Sequence, residues 1–162
     1  MILNDIELFV FDFDGVLTNN IVYLDQNGIE SVACSRSDGL AFDVLRKLNK
    51  KTLILSTESN LVVESRAKKL KTPLLQGIPD KVEALKELAI EEGFNLKKVF
   101  YVGNDINDFK VMQLCGYSAC PKDSHPVIIK NSHHVLSVNG GCGVVRVLLE
   151  DLFELDFIEI LY

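Results

Sequence analysis

Two aspartates two residues apart, Asp12 and Asp14, close the apolar run Phe9-Val10-Phe11 and are followed at once by Gly15. Side chains alternate faces along a strand, so carboxylates at this spacing project to one side. Like charges held that close repel, and the pair calls for a cation, a shared proton or a chemical task. An isolated D-x-D is usually a solvated strand end, but Phe9, Phe11 and Phe13 argue for a buried strand here. Three further polar groups end apolar runs. Ser56 follows Leu53-Ile54-Leu55, and Lys81 opens a helical pattern after Gly77-Ile78-Pro79-Asp80. The loop Gly103-Asn104-Asp105-Ile106-Asn107-Asp108 follows Phe100-Tyr101-Val102. It offers more oxygen-bearing side chains than the capping of one helix requires. A lysine in a first helical turn sits at the positive end of the macrodipole, unfavourable unless an anion meets it. Acids arriving from two loops suit Mg²⁺, a hard ion that takes oxygen ligands. Zinc would want His or Cys, and His125, His133 and His134 show no ligand spacing toward the acids. The chemistry implied is phosphoryl transfer, with Ser56 and Lys81 holding phosphoryl oxygens.

The elements that must position these groups alternate in type. Strand-like runs are expected at 6–13, 52–56, 99–103, 117–120 and 133–136. Helical periodicity falls between them at 38–49, 59–70, 80–92 and 106–114, with a last helix over 144–153. In the third helix Val82, Leu85, Leu88 and Ala89 share a stripe, and Gly93 marks its end. Such alternation predicts an α/β fold: a mostly parallel sheet with helices on both faces. One segment breaks the rhythm. Ile21-Val22-Tyr23-Leu24 and Ile29-Glu30-Ser31-Val32 flank Asp25-Gln26-Asn27-Gly28, a hairpin signal over 21–32. It follows the first strand's carboxyl end, the edge where ligands bind in open α/β sheets. A surface ornament, a lid and a subunit contact are all readings open to it. No repeat or linker interrupts the chain, so one domain over 1–162 is expected.

The bulk numbers limit the partners. A chain of 162 residues can bury a sizeable core. With 48% hydrophobic and 25% charged residues, its composition is ordinary for a soluble globular protein. A net charge of −6 argues against nucleic acid, whose binding rests on basic surface. No apolar run approaches a membrane span, and no signal-peptide pattern opens the chain, so a cytoplasmic protein without membrane contact is expected. Cys34, Cys115, Cys120 and Cys142 show no C-x-x-C spacing and are expected as thiols.

Asp12-Phe13-Asp14-Gly15-Val16-Leu17-Thr18, Ser56, Lys81 and Gly103-Asn104-Asp105-Ile106-Asn107-Asp108 resemble, in order, the four motifs of the haloacid dehalogenase superfamily. The closer resemblance is to its sugar-acid phosphatases without a cap domain, which act on 3-deoxy-D-manno-octulosonate 8-phosphate or on nonulosonate 9-phosphates. Supporting stretches are Ser37-Asp38-Gly39, Gln76 to Lys81, Asp123-Ser124-His125-Pro126 and Gly140-Gly141-Cys142-Gly143-Val144-Val145-Arg146, so the likeness spans about residues 5 to 150. The resemblance implies a Rossmann-like fold in which Asp12 is the nucleophile of an aspartyl-phosphate intermediate and Asp14 the acid and base. It implies Mg²⁺ on Asp12, the main-chain carbonyl of Asp14 and an acid of the Gly103 loop, here taken as Asp105. Asn104, where relatives often carry aspartate, and Asp108 then stand behind that ligand set.

Relatives that act on the octulosonate usually have Gly-Arg after the residue matching Ser56, where this chain has Thr57-Glu58. The basic residue often found in the glycine-rich turn is Cys142 here, and the arginine before Asp-Gly is Ser37. These changes tilt the expected substrate toward a nonulosonate 9-phosphate, with the octulosonate 8-phosphate as the alternative. Glu58 and Lys69 are the expected specificity residues, Lys69 reaching substrate only from another subunit. The group also implies a homotetramer in which the hairpin covers a neighbour's site. The apolar tail 152–162 fits burial against another subunit or against its own domain. A reading of another class is a weakly active interaction module for a cytidylyltransferase. A receiver domain that accepts phosphate from a kinase would share the fold class, but the D-x-D-G spacing fits it poorly.

Overall fold

The computed structural model describes residues 3–162. Strand β1 (Leu8–Phe11) is buried along its whole length and lies between two parallel neighbours, β4 (Lys51–Leu55) and β6 (Val99–Val102). A central parallel strand is covered on both faces, which is why it reads as an unbroken apolar run. The sheet continues through β5 (Leu74–Leu75) on one side and β7 (Tyr117–Cys120) and β8 (His134–Val135) on the other, in the order β5-β4-β1-β6-β7-β8, all parallel. The chain therefore fills one side of β1 and then crosses to the other. The crevice at that reversal, at the carboxyl ends of β1 and β6, is where doubly wound sheets bind ligands.

Alternation along β1 and β6 divides the core. Phe9, Phe11, Phe100 and Val102 face α1 (Ser37–Lys47), α2 (Leu61–Leu70) and the C-terminal helices α6 (Val144–Val147) and α7 (Phe157–Leu161). Leu8, Val10, Val99 and Tyr101 face α3 (Lys81–Glu92), α4 (Phe109–Leu114) and α5 (Pro126–Asn131). Phe9 stacks on Phe100 at 5.7 Å and meets the edge of Phe153 at 5.7 Å. Each fully buried phenylalanine contributes about 1.5–3 kcal/mol. The tail packs on its own domain: Phe157 is buried, and Leu155, Ile160 and Leu161 lie against the same core, while Ile158 and Tyr162 stay exposed.

Several boundaries differ from the sequence reading. The first strand ends at Phe11 rather than at residue 13, because Asp12 to Leu17 form a wide turn closed by Thr18 N–H on the Phe13 carbonyl at 3.1 Å. The last helix runs regularly only over Val144–Val147 and continues as a wider turn over Leu148–Leu152. The two-residue β5, α5 with proline in its first turn, and α7 capped by Asp156 escape periodicity because each is too short to display one. The hairpin is present as β2 (Tyr23–Leu24) against antiparallel β3 (Glu30–Ser31). Its turn is held by Asp25, whose carboxylate accepts from Asn27 N–H at 2.8 Å and Ile29 N–H at 2.9 Å. Among the described residues no helix is long and apolar enough to cross a membrane.

Candidate active site

Register brings the predicted residues to one edge. Phe11 is level with Ile54 and Val102, so Asp12, Ser56 and Gly103 leave three neighbouring strands together. Asp12 N–H donates to the Val102 carbonyl at 2.9 Å, which pins the first acid beside β6. Gly15 then turns with φ +80°, and a Cβ there would overlap the Asn104 amide. Only glycine satisfies both demands.

Around Asp12 lies a dry knot of charge. Lys81 Nζ donates to Asp12 Oδ1 at 2.8 Å and to Asp108 Oδ1 at 2.7 Å, with Asp12 4%, Lys81 3% and Asp108 0% exposed. Tyr101 Oη donates to the same Asp108 oxygen at 2.8 Å. Asp108 Oδ2 accepts from the N–H groups of Asn104 at 2.9 Å and Asp105 at 3.4 Å. Burial pushes the Asp12 carboxyl up, to about 8, and repulsion from Asp108 adds to it, while Lys81 pulls the other way. Burial alone would lower Lys81, but Asp12 and Asp108 outweigh it and hold the ammonium above its ordinary value. Tyr101 is raised well above a free phenol, first by burial and then by Asp108 and Asp12, so it remains a donor. The odd placement of lysine in a first helical turn is thereby explained: it is the counter-ion of two acids. Two of its three N–H donors are used, which leaves one for a ligand oxygen.

Asp14 points away from the knot into a crevice of about 270 Å³ lined by Asn20, Val22, Glu30, Thr57, Glu58 and Asn60. It is half-buried, and Thr18 Oγ1 donates to it at 3.4 Å. Burial raises its carboxyl, and Glu58 and then Glu30 reinforce the shift against Thr18 and Lys81. The hairpin forms a wall of this crevice, tied to the cap of α2 by Asn60 Nδ2 on Glu30 Oε2 at 2.6 Å. Ser56 is buried just past the end of β4, its Oγ accepting from Glu58 N–H at 3.1 Å. That contact leaves the hydroxyl proton for an anionic oxygen. Glu58 belongs to the crevice, but Lys69 does not: it is exposed along neighbouring grooves with Arg66, away from Asp14.

The acid of the Gly103 loop taken as the cation's ligand is engaged in a cap. Asp105 is partly exposed, and its carboxylate accepts from Ile106 N–H at 2.7 Å in a reciprocal cap with Asp108. Among the described residues, no three His, Cys, Asp or Glu side chains converge closely enough to hold a metal by themselves. An ion at this edge therefore needs main-chain or amide oxygens beside Asp12. Asn104 supplies one: its Oδ1 is buried and has no hydrogen-bond partner. A hard cation fits a set that joins the Asp12 carboxylate and this amide oxygen to the Asp14 main-chain carbonyl that the resemblance implies.

Sequence reading gave no role to Tyr101 or to Asp38, which it met only within a supporting stretch. The signal for Tyr101 was a hydroxyl inside an otherwise apolar strand, which must find a partner when buried. Asp38 sits fully buried in α1, and its Oδ1 accepts from the N–H groups of Val145 at 2.9 Å and Arg146 at 3.2 Å at the start of α6. The turn before α6 lies on the catalytic loop, with Gly141 N–H donating to the Val16 carbonyl at 3.0 Å. A Cβ at Gly140 would strike the Gly15 carbonyl. Asp38 thus holds the segment that backs the Asp14 turn.

Comparison with known proteins agrees with this geometry. Residues 62–148 match the haloacid dehalogenase-like hydrolase family. The 3-deoxy-D-manno-octulosonate 8-phosphate phosphatase of Yersinia pestis is 32% identical over 143 residues, covering 88% of this chain and 76% of the relative. A Streptomyces avermitilis protein described as a HAD family hydrolase superposes with a TM-score of 0.90 at 41% identity, over 93% of this chain and 86% of that one. The Moraxella catarrhalis octulosonate 8-phosphate phosphatase, solved with magnesium, phosphate and the sugar acid, gives 0.88 at 28% identity, over 93% and 87%. The chain belongs to the haloacid dehalogenase-like hydrolases, in the group that resembles the octulosonate 8-phosphate phosphatases and lacks a cap domain.

Proposed function

We propose that this protein is a Mg²⁺-dependent phosphatase of a phosphorylated 2-keto-3-deoxy sugar acid, with a nonulosonate 9-phosphate as preferred substrate. Asp12 attacks phosphorus through Oδ2, the oxygen that Lys81 does not engage, and an aspartyl phosphate forms as the sugar alkoxide leaves. Asp14, raised by burial, gives its proton to that alkoxide and then takes one from the water that hydrolyses the acyl phosphate. Ser56 and the third N–H of Lys81 hold phosphoryl oxygens. Asp12 and the Asp14 carbonyl, together with the Gly103 loop, would hold Mg²⁺, which when bound would supply the positive charge that lets a carboxylate meet a phosphate dianion.

The observation that carries the substrate preference is the acidic mouth. Asp14, Glu30 and Glu58 line the crevice, and among the described residues no Lys or Arg does. A short sugar acid would place its own carboxylate close to these acids. A nine-carbon chain sets hydroxyls against Glu58 and carries its carboxylate further out, where a cation from a second subunit can meet it. The exposed apolar hairpin residues Ile21, Val22, Tyr23, Leu24 and Ile29 support a homotetramer in which that subunit presents Lys69. The curated relatives favour octulosonate 8-phosphate as the second reading.

Phosphate release from octulosonate 8-phosphate and from nonulosonate 9-phosphates, with and without EDTA, tests both levels. The expected result is a higher kcat/KM for a nonulosonate phosphate and loss of turnover with EDTA. Metal-independent turnover overturns the mechanism, and a preference for the octulosonate overturns the substrate.

A further inference from the structure

The turn that carries Asp14 has no helical backbone at Asp14 or Gly15, so a helix's own hydrogen bonds do not hold it there. Its internal support is Thr18, whose Oγ1 donates to Asp14 Oδ1 at 3.4 Å and accepts from the N–H groups of Gly15 and Asn20 at 3.2 Å each. A second turn, from far along the chain, lies against it. Gly141 N–H donates to the Val16 carbonyl at 3.0 Å. A Cβ on Gly140 would overlap the Gly15 carbonyl, and one on Gly141 would overlap the main chain of Thr18 and Asn19. Main chain therefore rests on main chain at both ends of the Asp14 turn, with no side chain between to absorb a shift. Two carboxylates hold this second turn. Asp123, which is exposed, accepts from Gly140 N–H at 2.9 Å. Gly143 has no side chain with which to cap α6, and the cap comes instead from Asp38, whose Oδ1 accepts from the N–H groups of Val145 and Arg146. A fully buried carboxylate is a costly cap where a serine or asparagine just before the helix would serve. What Asp38 adds is a tie across the fold: α1 begins three residues after Cys34, which bridges to Thr18 on the catalytic turn itself.

From this we infer that Asp38, acting through the Gly140–Gly141 turn, is a positioning residue for Asp14: it sets where that carboxyl stands against the leaving oxygen without touching substrate. Asp123 is the weaker second hold on the same turn, because its bond lies in water. The inference rests on the phosphatase reading. In the first step Asp12 bonds to phosphorus, the P–O bond to the sugar breaks with its electron pair on the sugar oxygen, and that oxygen takes the proton of Asp14. A displaced Asp14 therefore slows an ester whose leaving group needs the proton, and spares one whose leaving group is stable as an anion. Damage to Asp12 or to the cation's site slows both esters alike.

Single-turnover cleavage with the full chain in excess, of the better sugar-acid phosphate and of p-nitrophenyl phosphate, tests this. Asp38→Ala is expected to slow the sugar ester about tenfold or more and the nitrophenyl ester less than about threefold. Asp38→Asn keeps the oxygen that accepts from α6 and is expected to stay within about threefold of the wild type on both. Gly140→Ala adds one methyl against the Gly15 carbonyl at a position without positive φ and removes no polar contact, and it is expected to repeat the Asp38→Ala pattern. Asp123→Ala is expected to show the same pattern at about threefold on the sugar ester. Thermal unfolding identifies any variant that fails to fold, and the exposed Asp123→Ala then carries the test. Equal slowing of the two esters overturns the inference, as does a sugar-ester rate unchanged in the folded variants. A wild-type protein that cleaves neither ester in the presence of Mg²⁺ instead overturns the phosphatase reading itself.

Discussion

The two sides of the catalytic turn are built on opposite principles. Around Asp12 every charge is buried and paired: Lys81, Asp108 and Tyr101 form one dry network with short contacts. Around Asp14 the crevice is open and acidic, and among the described residues its lining carries no cation. A buried network fixes geometry because any rearrangement strands a charge away from water. An open mouth leaves its residues free to differ without cost to the fold. On the proposed function the nucleophile sits on the first side, and the acid–base group Asp14 shares the second with the residues that would meet the sugar.

Breaking the Asp12 side carries the largest effects. Asp12→Asn is expected to lower kcat on the order of 10⁴-fold in steady-state assays, because no other group takes its place. Lys81→Met leaves Asp12 and Asp108 facing each other with no cation, and a loss of about 3–5 kcal/mol in urea unfolding is expected, with turnover abolished.

Asp38 sharpens the comparison through pH. Burial raises its carboxyl to about 6, against the α6 N–H groups and Arg66, which favour the charged form. The folded value lies above the unfolded one, so the stability linked to this proton is fully present below about 4 and lost as pH rises through 6. Asp38→Asn lacks this dependence. Relative to the wild type it is expected to gain up to about 3 kcal/mol between pH 4 and pH 7, read as a widening difference in Tm.

Smaller effects separate the two sides further. Tyr101→Phe removes one donor from Asp108 and is expected to cost about 1–2 kcal/mol in urea unfolding. Glu58→Gln, on the open side, is expected to leave stability within about 0.5 kcal/mol while shifting the kcat/KM ratio between the two sugar acids about tenfold. An Asp12-side effect on that ratio, or a Glu58 effect on stability, would erase the distinction.

Much of the rigid side was legible in the sequence. The apolar run into Asp12, the helical pattern that opens at Lys81 and the polar loop after β6 picked out Asp12 and Lys81, and placed Asp108 behind them, before any contact was visible. What periodicity could not supply was direction. Asp105 and Asn104 are adjacent in a turn, and which of them is turned inward is set by capping geometry and by contact with Gly15, neither of which has a period. Tyr101 read as one more strand aromatic because its partner lies across the loop. The two-residue β5 depends on pairing with β4, which makes it a product of tertiary structure.

The most direct test of the division is to trap the acyl phosphate. The wild-type protein is mixed with Mg²⁺ and the better sugar-acid phosphate, reduced with borohydride during turnover, digested and sequenced by mass spectrometry. Reduction of an aspartyl phosphate leaves homoserine, and homoserine at position 12, absent in Asp12→Asn, is the expected result. Trapping at another residue, or phosphate release with position 12 unmodified under conditions that trap a control acyl phosphate, would contradict the assignment of the reaction to Asp12.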